Sequence, residues 1–113
     1  MKIFITGGSG NLGKELKKVI PDTYQVYSPP KTECNILTPS ILKFYIEDYN
    51  PDIVLHLAAF VDTMGCEENK EEAIDTNIIG TANLVKSCLD IKCKFVYVSS
   101  EYVFKGDKGN YSV

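Results

Sequence analysis

The sequence contains no arginine and only one histidine, His56. All twelve basic side chains are lysines, so a bound phosphate must be held by lysine, backbone N–H groups or hydroxyls, without the two-pronged contact of a guanidinium. The net charge of -3 supplies no basic surface field. We therefore expect neither nucleic acid nor an anionic membrane as a partner.

The four cysteines form no C-x-x-C pair and lie far in sequence from His56, so we expect no zinc or other metal site. Reduced, mostly buried thiols are the simpler interpretation. No apolar run approaches the roughly 20 residues of a membrane span, and no signal-type segment precedes the first predicted strand. These features predict a cytoplasmic protein without a membrane segment.

Short apolar runs alternate with segments of helical periodicity along the chain. Strands are predicted at residues 2–6, 24–28, 53–57 and 95–98, and helices after Gly10, after Thr38 and over residues 71–90. This alternation predicts an α/β fold, with a parallel sheet joined by right-handed crossovers and helices on its faces.

Two of these helices carry a predicted apolar face. In the second helix, with Thr38 as N-cap and Pro39 in the first turn, this face consists of Ile41, Leu42, Tyr45, Ile46 and Tyr49. In the long third helix it consists of Ile74, Ile78, Thr81, Ala82, Val85, Cys88 and Leu89. The acidic residues at 67, 68, 71 and 72 are interpreted as the solvated start of this third helix, where negative charge suits the helix dipole.

The stretch TGGSGNLG places a cluster of glycines between the first strand and the first helix. Gly8, Gly10 and Gly13 match G-x-G-x-x-G, whereas Gly7, Gly10 and Gly13 match the wider G-x-x-G-x-x-G. The first glycines allow a sharp turn, Gly10 allows backbone to approach a pyrophosphate, and Gly13 allows the helix to pack closely on the sheet. A plain tight turn is the alternative interpretation. The strand before and the helix after the motif favour a dinucleotide-binding site.

The first helix would hold the diphosphate at its N-terminus, where Asn11 and Leu12 follow the glycine turn. An acidic residue at the end of the second strand would bind the ribose 2′-hydroxyl of NAD, but Ser28-Pro29-Pro30-Lys31 stands there instead. A hydroxyl and a cation at that place favour a 2′-phosphate, and hence NADPH over NADH. Alternatively, Lys31 is a solvated loop lysine.

Several motifs in order, TGGSGNLG, CNILTP, PDIVLHLAAF, DTNIIGTANL and SSEYVFKG, give the chain a wider resemblance. It resembles the extended short-chain dehydrogenase/reductases, and among them the dTDP-4-dehydrorhamnose reductases. The resemblance implies that residues 1–113 form the N-terminal part of a single NAD(P)-binding Rossmann domain, with the C-terminal substrate-binding part absent from this chain. It also implies NADPH-dependent reduction of a 4-keto-6-deoxy nucleotide sugar in deoxysugar biosynthesis.

Two other functions stay open. One is a non-catalytic, cofactor-binding regulatory subunit like the methionine adenosyltransferase β-subunit, which the sequence also resembles. The other is a nucleotide-sugar epimerase or dehydratase of the same superfamily, although SSEYVF fits a reductase better. A homodimer is a candidate assembly.

The resemblance also implies roles for single residues at the cofactor. Asn35 and Ile36 would lie near the adenine, and Ala58 and Ala59 would lie against the cofactor because their side chains are small. Asn77 matches a helix asparagine that braces the strand ends around the site. A local backbone hydrogen bond within the helix is the alternative interpretation of Asn77.

At the predicted substrate side, Ser100 aligns with the catalytic Ser/Thr of the family, whose hydroxyl polarises a substrate carbonyl. Glu101 and Tyr102 match an Asp-Tyr pair that faces the substrate, and Ser99 is interpreted as structural. His56 is interpreted as a strand residue held by hydrogen bonds rather than as an acid or base.

These enzymes use a Tyr-x-x-x-Lys pair, in which the lysine lowers the pKa of the tyrosine that donates a proton. Here that spacing occurs at Tyr27 and Lys31, at the end of the second predicted strand. We reject this pair as catalytic because the adenosine end of the cofactor belongs there. The family places its pair on a helix after the last strand found here, so we expect the chain to be inactive alone.

Overall fold

The computed structural model describes residues 1–100, 105–107, 109–110 and 112. It contains one four-stranded parallel sheet with the order β2-β1-β3-β4. The strands are β1 (Lys2–Thr6), β2 (Gln25–Tyr27), β3 (Ile53–His56) and β4 (Lys94–Tyr97). This topology confirms the predicted α/β fold of Rossmann type, with strand ends that differ from the prediction by at most one residue.

The helices are α1 (Asn11–Val19), α2 (Pro39–Tyr49), α3 (Thr63–Glu68), α4 (Lys70–Ile74) and α5 (Gly80–Ile91), and a π-helical turn (Asp75–Ile79) joins α4 to α5. The sequence did not predict α3. As a result, the predicted acidic helix start is divided: Glu67 and Glu68 end α3, whereas Glu71 and Glu72 lie in the first turn of α4. In the described part of the chain, no helix has both the length and the apolar character that crossing a membrane requires.

The helix α2 begins where the sequence predicts, but the Thr38 side chain does not cap it. Thr38 is the N-cap and Pro39 follows it, yet the Thr38 side chain makes no capping hydrogen bond. Asn50 ends the helix in the left-handed conformation, with φ of 49°. On the predicted apolar face Leu42 and Ile46 are fully buried, whereas Ile41 is exposed.

The apolar face predicted for the long helix is wrong in part. Cys88 is buried, but the other end of the predicted face is open, since Ile74 and Ile78 are 51% and 61% exposed. Ala82 and Leu89 are also exposed. The buried positions of α5 are Gly80, Leu84, Ser87 and Cys88. The π-helical turn shifts the phase between α4 and α5, so one 3.6-residue period cannot describe both Ile74 and Ile78 and the residues of α5. Within α5 itself, Ala82 and Leu89 lie on the side opposite its buried residues.

The core lies between the sheet and the helices α2 and α5. Its fully buried side chains include Phe4 of β1, Val54 of β3, Leu42 and Ile46 of α2, and Leu84 of α5. Ile3 and Ile5 alternate with Phe4 and point to the opposite face of the sheet, where they are also buried. Burial on both faces is the usual state of a parallel strand.

All four cysteines are free thiols. Cys34 and Cys88 are buried, and Cys66 and Cys93 are half-buried, as expected from the sequence. Burial raises the pKa of Cys34 to about 11 and shifts the pKa of Cys88 upward as well. The described residues contain no group of three or more His, Cys, Asp or Glu side chains that could hold a metal ion.

A buried chain of hydrogen bonds runs through the sheet at His56. The Thr81 hydroxyl donates to the Asn77 carbonyl at 2.8 Å, so it accepts the bond from His56 Nε2 at 2.9 Å. His56 Nδ1 then accepts from the Thr6 hydroxyl at 2.6 Å, and Thr6 Oγ1 accepts a longer bond from the Ala58 N–H at 3.4 Å. These directions assign the proton of the neutral ring to Nε2. The interpretation of His56 as a hydrogen-bonded strand residue is confirmed.

This chain of hydrogen bonds predicts a pH-dependent stability. Burial lowers the pKa of His56 to about 4, against about 6.5 in the unfolded chain. Between these values the unfolded state binds the extra proton, so the free energy of unfolding falls as the pH decreases from 6.5 to 4. We expect a loss of at most about 3 kcal/mol from this residue, measured by urea unfolding across that range.

The control for this measurement is the variant His56→Gln, which keeps the carboxylates but removes the imidazole. Its absolute stability will be lower, but it should lack the part of the pH slope that His56 contributes. Parallel stability curves for the two proteins from pH 4 to 6.5 would show that His56 does not titrate as described.

Candidate functional site

The central strand β1 has neighbours on both sides, because the chain passes from β1 to β2 on one side and returns to β3 on the other. Ligands of open α/β sheets bind where the strand order reverses in this way, beyond the carboxyl ends of the strands. A cavity of about 420 Å³ opens at this place, within the usual size of small-molecule sites. The predicted site residues that line it are Gly7, Gly10, Ser28, Lys31, Asn35, Ile36, Ala58 and Ala59.

The glycines after β1 are required by close contacts between backbone segments. Gly7 has a φ of +72°, and a Cβ there would lie 2.7 Å from the carbonyl carbon of Leu57 and 2.5 Å from the nitrogen of Ala58. A Cβ on Gly13 would lie 2.8 Å from the Gly7 carbonyl oxygen. For a Cβ on Gly10 the nearest atom is the Gly7 carbonyl oxygen at 3.3 Å, and Gly10 is exposed at the N-cap of α1. Gly7 and Gly13 therefore serve internal packing, whereas Gly10 leaves its face open to the cavity.

Gly8 makes room for two polar side chains. A Cβ on Gly8 would collide with the Ser28 hydroxyl and would lie 2.7 Å from the Lys17 ammonium. Ser28 follows β2 and Lys17 belongs to the last turns of α1. The absence of a side chain at Gly8 thus lets both groups reach the same end of the cavity.

Asn35 and Ile36, the residues predicted to lie near the adenine, are held in place by hydrogen bonds and by packing against α5. The Asn35 side-chain oxygen accepts from the Leu37 N–H at 2.9 Å, so contact with an adenine would use its remaining lone pair. Ile36 is buried, and its carbonyl accepts from the Asn83 side chain at 2.9 Å. A Cβ on Gly80 would lie 2.5 Å from Ile36 Cδ1, so the helix passes directly over this residue.

Asn77 lies in the π-helical turn and binds the segment that follows β3. Its side-chain oxygen accepts from the Phe60 N–H at 2.8 Å, and its side-chain nitrogen donates to the Phe60 carbonyl at 3.0 Å. The Cys66 thiol donates to the same carbonyl at 3.3 Å. These bonds match the bracing interpretation, since the Asn77 side chain reaches a residue 17 positions away rather than its own helix. A π-helical turn at such a place is often associated with a functional site.

Some predicted site residues do not line the cavity. Asn11 and Leu12 are exposed in the first turn of α1, and Gly13 is buried beneath the glycine turn. Ser100 is exposed beyond the end of β4 and does not line the cavity. Glu101 and Tyr102 lie outside the described residues.

The cavity also includes residues that the sequence analysis missed, among them Lys17, Phe60, Glu72 and Thr76. The sequence could have indicated that Lys17 lines the cavity, since Lys17 lies one helical turn after Gly13 and therefore shares its face of α1. It could not have indicated Phe60 and Thr76, because their positions depend on how the segment after β3 meets the π-helical turn.

Tyr27, which has Lys31 at the Tyr-x-x-x-Lys spacing, lies in an aromatic environment. The Tyr27 ring packs against Phe4, Tyr45 and Tyr49, with ring centroids 5.8, 6.2 and 5.2 Å apart. Burial raises the pKa of Tyr27, whereas a catalytic tyrosine needs a lowered pKa. The structure thus supports the rejection of this pair.

Comparison with known proteins gives relatives that match nearly all of this chain. It is 32% identical over 106 residues to the spore coat polysaccharide biosynthesis protein SpsK of Bacillus subtilis (strain 168), covering 93% of this chain and 38% of that protein. It is 32% identical over 118 residues to methionine adenosyltransferase 2 subunit beta of Xenopus laevis, covering 97% of this chain and 35% of that protein.

Among solved structures, the chain is similar to dTDP-4-dehydrorhamnose reductase from Bacillus anthracis str. Ames, which was crystallised in complex with NADP. The TM-score is 0.91 at 31% identity, and the match covers 95% of this chain and 39% of that one. The chain therefore spans less than two fifths of the length of each of these three proteins.

The resemblance to dTDP-4-dehydrorhamnose reductases that the motifs indicated is confirmed by these matches. The model of one protein family, the RmlD substrate binding domain, matches residues 1–113, the whole of the chain. The chain belongs to the RmlD substrate binding domain family.

Proposed function

We propose that this chain is the cofactor-binding part of an NADPH-dependent oxidoreductase of the short-chain dehydrogenase/reductase type. The observation that carries the proposal is the glycine turn, because Gly7 and Gly13 bring backbone segments together and Gly10 leaves an open face beside the cavity. A diphosphate fits such a place, where N–H groups of a helix N-terminus are free. The structural relative that binds NADP supports the same cofactor.

In this proposal different elements of the chain hold the diphosphate, the adenosine end and the remaining half of the cofactor. The N-terminus of α1, with Gly10, Asn11 and Leu12, receives the diphosphate. The adenosine end lies toward Ser28 and Lys31, with the adenine near Asn35 and Ile36. Ala58 and Ala59 at the end of β3 allow close approach of the remaining half, and Asn77 keeps this wall in position through Phe60.

The proposed reaction is the reduction of a 4-keto-6-deoxy nucleotide sugar. When bound in the site, NADPH would supply the hydride that reduces the substrate carbonyl. The Ser100 hydroxyl donates a hydrogen bond to the carbonyl oxygen and stabilises the negative charge that develops there. Glu101 and Tyr102 contact the substrate, and the Tyr-x-x-x-Lys pair that protonates the oxygen belongs to a helix beyond residue 113.

A cytoplasmic homodimer is part of this proposal, and four free thiols fit a reducing compartment.

A second candidate function is a regulatory subunit that binds the same cofactor without catalysis. It is favoured by the match to methionine adenosyltransferase 2 subunit beta, which covers 97% of this chain. Both functions share the cofactor site, so they differ in turnover rather than in NADPH binding. A full-length protein that binds NADPH but reduces no 4-keto sugar nucleotide would favour the regulatory function.

The roles of the glycines predict different effects of two alanine substitutions. Gly13→Ala should destabilise the fold by about 1–3 kcal/mol, because the new Cβ meets backbone that cannot move away easily. Gly10→Ala should cost less than about 1 kcal/mol, since Gly10 has a φ of -71° and a nearest contact at 3.3 Å. Its NADPH dissociation constant should nevertheless increase by about tenfold or more, because the methyl group occupies the open face.

Urea unfolding gives the stability of both variants, and calorimetric titration gives the dissociation constant. Unchanged NADPH affinity in a stably folded Gly10→Ala protein would argue against the diphosphate site. Equal destabilisation by the two substitutions would contradict the separate roles assigned to these glycines.

The role of Ser100 predicts a defect in turnover without a defect in binding. In the full-length protein, Ser100→Ala should lower kcat by about 100-fold, because one donor to the developing oxyanion is lost. The NADPH dissociation constant should stay within about twofold of the unsubstituted protein. NADPH oxidation with a 4-keto-6-deoxy nucleotide sugar is the measurement.

Ser99→Ala is the matched control, since it removes the same hydroxyl from the neighbouring position. It should leave kcat within a few-fold of the unsubstituted protein. If Ser100→Ala behaves like this control, the hydroxyl of Ser100 does not act on the substrate.

A further inference from the structure

Lys17 occupies an unusual position for a lysine on an exposed helix. It lines the main cavity, and together with Ser28 it also lines a neighbouring cavity formed beside β2. Both side chains occupy the space beside Gly8 that a Cβ would fill. The ammonium of Lys17 and the hydroxyl of Ser28 therefore converge where the two cavities meet.

The charge of Lys17 is not neutralised within the described part of the chain. The neighbouring Lys18 forms an ion pair with Glu15 at 2.6 Å, whereas Lys17 forms none with any described carboxylate. Asp22 lines the neighbouring cavity but makes no ion pair with Lys17. The hydroxyl of Ser28 likewise makes no hydrogen bond with a described residue. A cation and a hydroxyl thus face the cavity without a protein partner.

The second cation of this region comes from the segment that follows β2. Lys31 lines the main cavity, is exposed and forms no ion pair with a described carboxylate. A phosphate monoester carries a charge of about -1.5 to -2 at pH 7, which one lysine cannot balance. Because the chain has no arginine, two lysines and a hydroxyl are the donor set that suits such a group.

We propose that Lys17 is a specificity-determining residue, which together with Ser28 and Lys31 binds the 2′-phosphate of NADPH and so discriminates against NADH. This inference rests on the proposed dinucleotide-binding function. It adds a contact from α1 to those expected from the segment after β2. It also gives Gly8 a purpose, since a side chain there would exclude both Lys17 and Ser28 from their positions.

The test measures the dissociation constants of NADPH and NADH for the full-length protein by calorimetric titration. The variants are Lys17→Gln and, as a matched control, Lys14→Gln, which removes the same charge one helical turn earlier, where the side chain does not line the cavity. The pair 2′,5′-ADP and 5′-AMP, which differ by the 2′-phosphate alone, serves as a second probe.

We expect Lys17→Gln to weaken NADPH and 2′,5′-ADP by about fivefold to tenfold, the usual effect of one charge-assisted contact at an exposed site. NADH and 5′-AMP should bind within about twofold of their affinity for the unsubstituted protein, which also shows that the variant is folded. Lys14→Gln should leave the ratio of the NADH and NADPH dissociation constants unchanged. The NADPH preference should shrink at high salt, since both lysines are exposed.

The outcomes separate this inference from the function on which it rests. An unsubstituted protein that binds neither dinucleotide overturns both. Dinucleotide binding with equal or tighter affinity for NADH overturns the 2′-phosphate site and leaves the dinucleotide-binding function standing. Equal weakening of NADPH and NADH by Lys17→Gln, or no weakening of either, also overturns the role of Lys17 alone.

Discussion

The site depends on one steric constraint, the absence of room for a side chain where the turn after β1 passes the end of β3. A Cβ on Gly7 would lie too close to the backbone of Leu57 and Ala58, and Gly7 also adopts the left-handed conformation. Gly13 then sits against Gly7 with equally little space. These contacts place α1, β1 and β3 around one point. The cavity at the switch of strand order is the space that remains beside this point.

The opposite wall of the cavity is held by polar contacts rather than by close packing. The hydrogen bonds from Thr6 through His56 to Thr81 and Asn77 connect β1, β3 and the long helical segment. Asn77 in turn fixes both backbone groups of Phe60. Since these groups are buried or half-buried, each lost partner leaves a polar atom unsatisfied, which makes the arrangement stiff. A rigid wall of this kind positions small residues at the end of β3 without using their side chains.

The third side of the cavity is basic and open. Lys17 and Lys31 approach it from α1 and from the segment after β2, and neither is paired with a carboxylate among the described residues. Thus one region of the sheet provides close backbone approach, and a region next to it provides positive charge. This division suits a ligand with a diphosphate in its middle and a further phosphate at one end.

Much of this could be read from the sequence, because local patterns depend on local physics. The alternation of short apolar runs and helical periods, the glycine motif and the strand position of His56 were all predicted correctly, since turn sterics and side-chain periodicity act over a few residues. The apolar face of the long helix was mistaken in part at Ile74, Ile78 and Leu89. The π-helical turn that changes the phase between α4 and α5 contains Asn77, whose side chain is hydrogen-bonded to Phe60, a residue 17 positions away.

The sequence by itself therefore determined the fold class, the place of the glycine turn after β1 and the absence of any guanidinium group. Only the tertiary structure decided which glycine serves packing and which faces the cavity. It also decided that Lys17 joins Ser28 beside Gly8, and that Asn77 braces Phe60. The physical reason is that these properties depend on distances between segments far apart in the chain, which the folding of the sheet brings together.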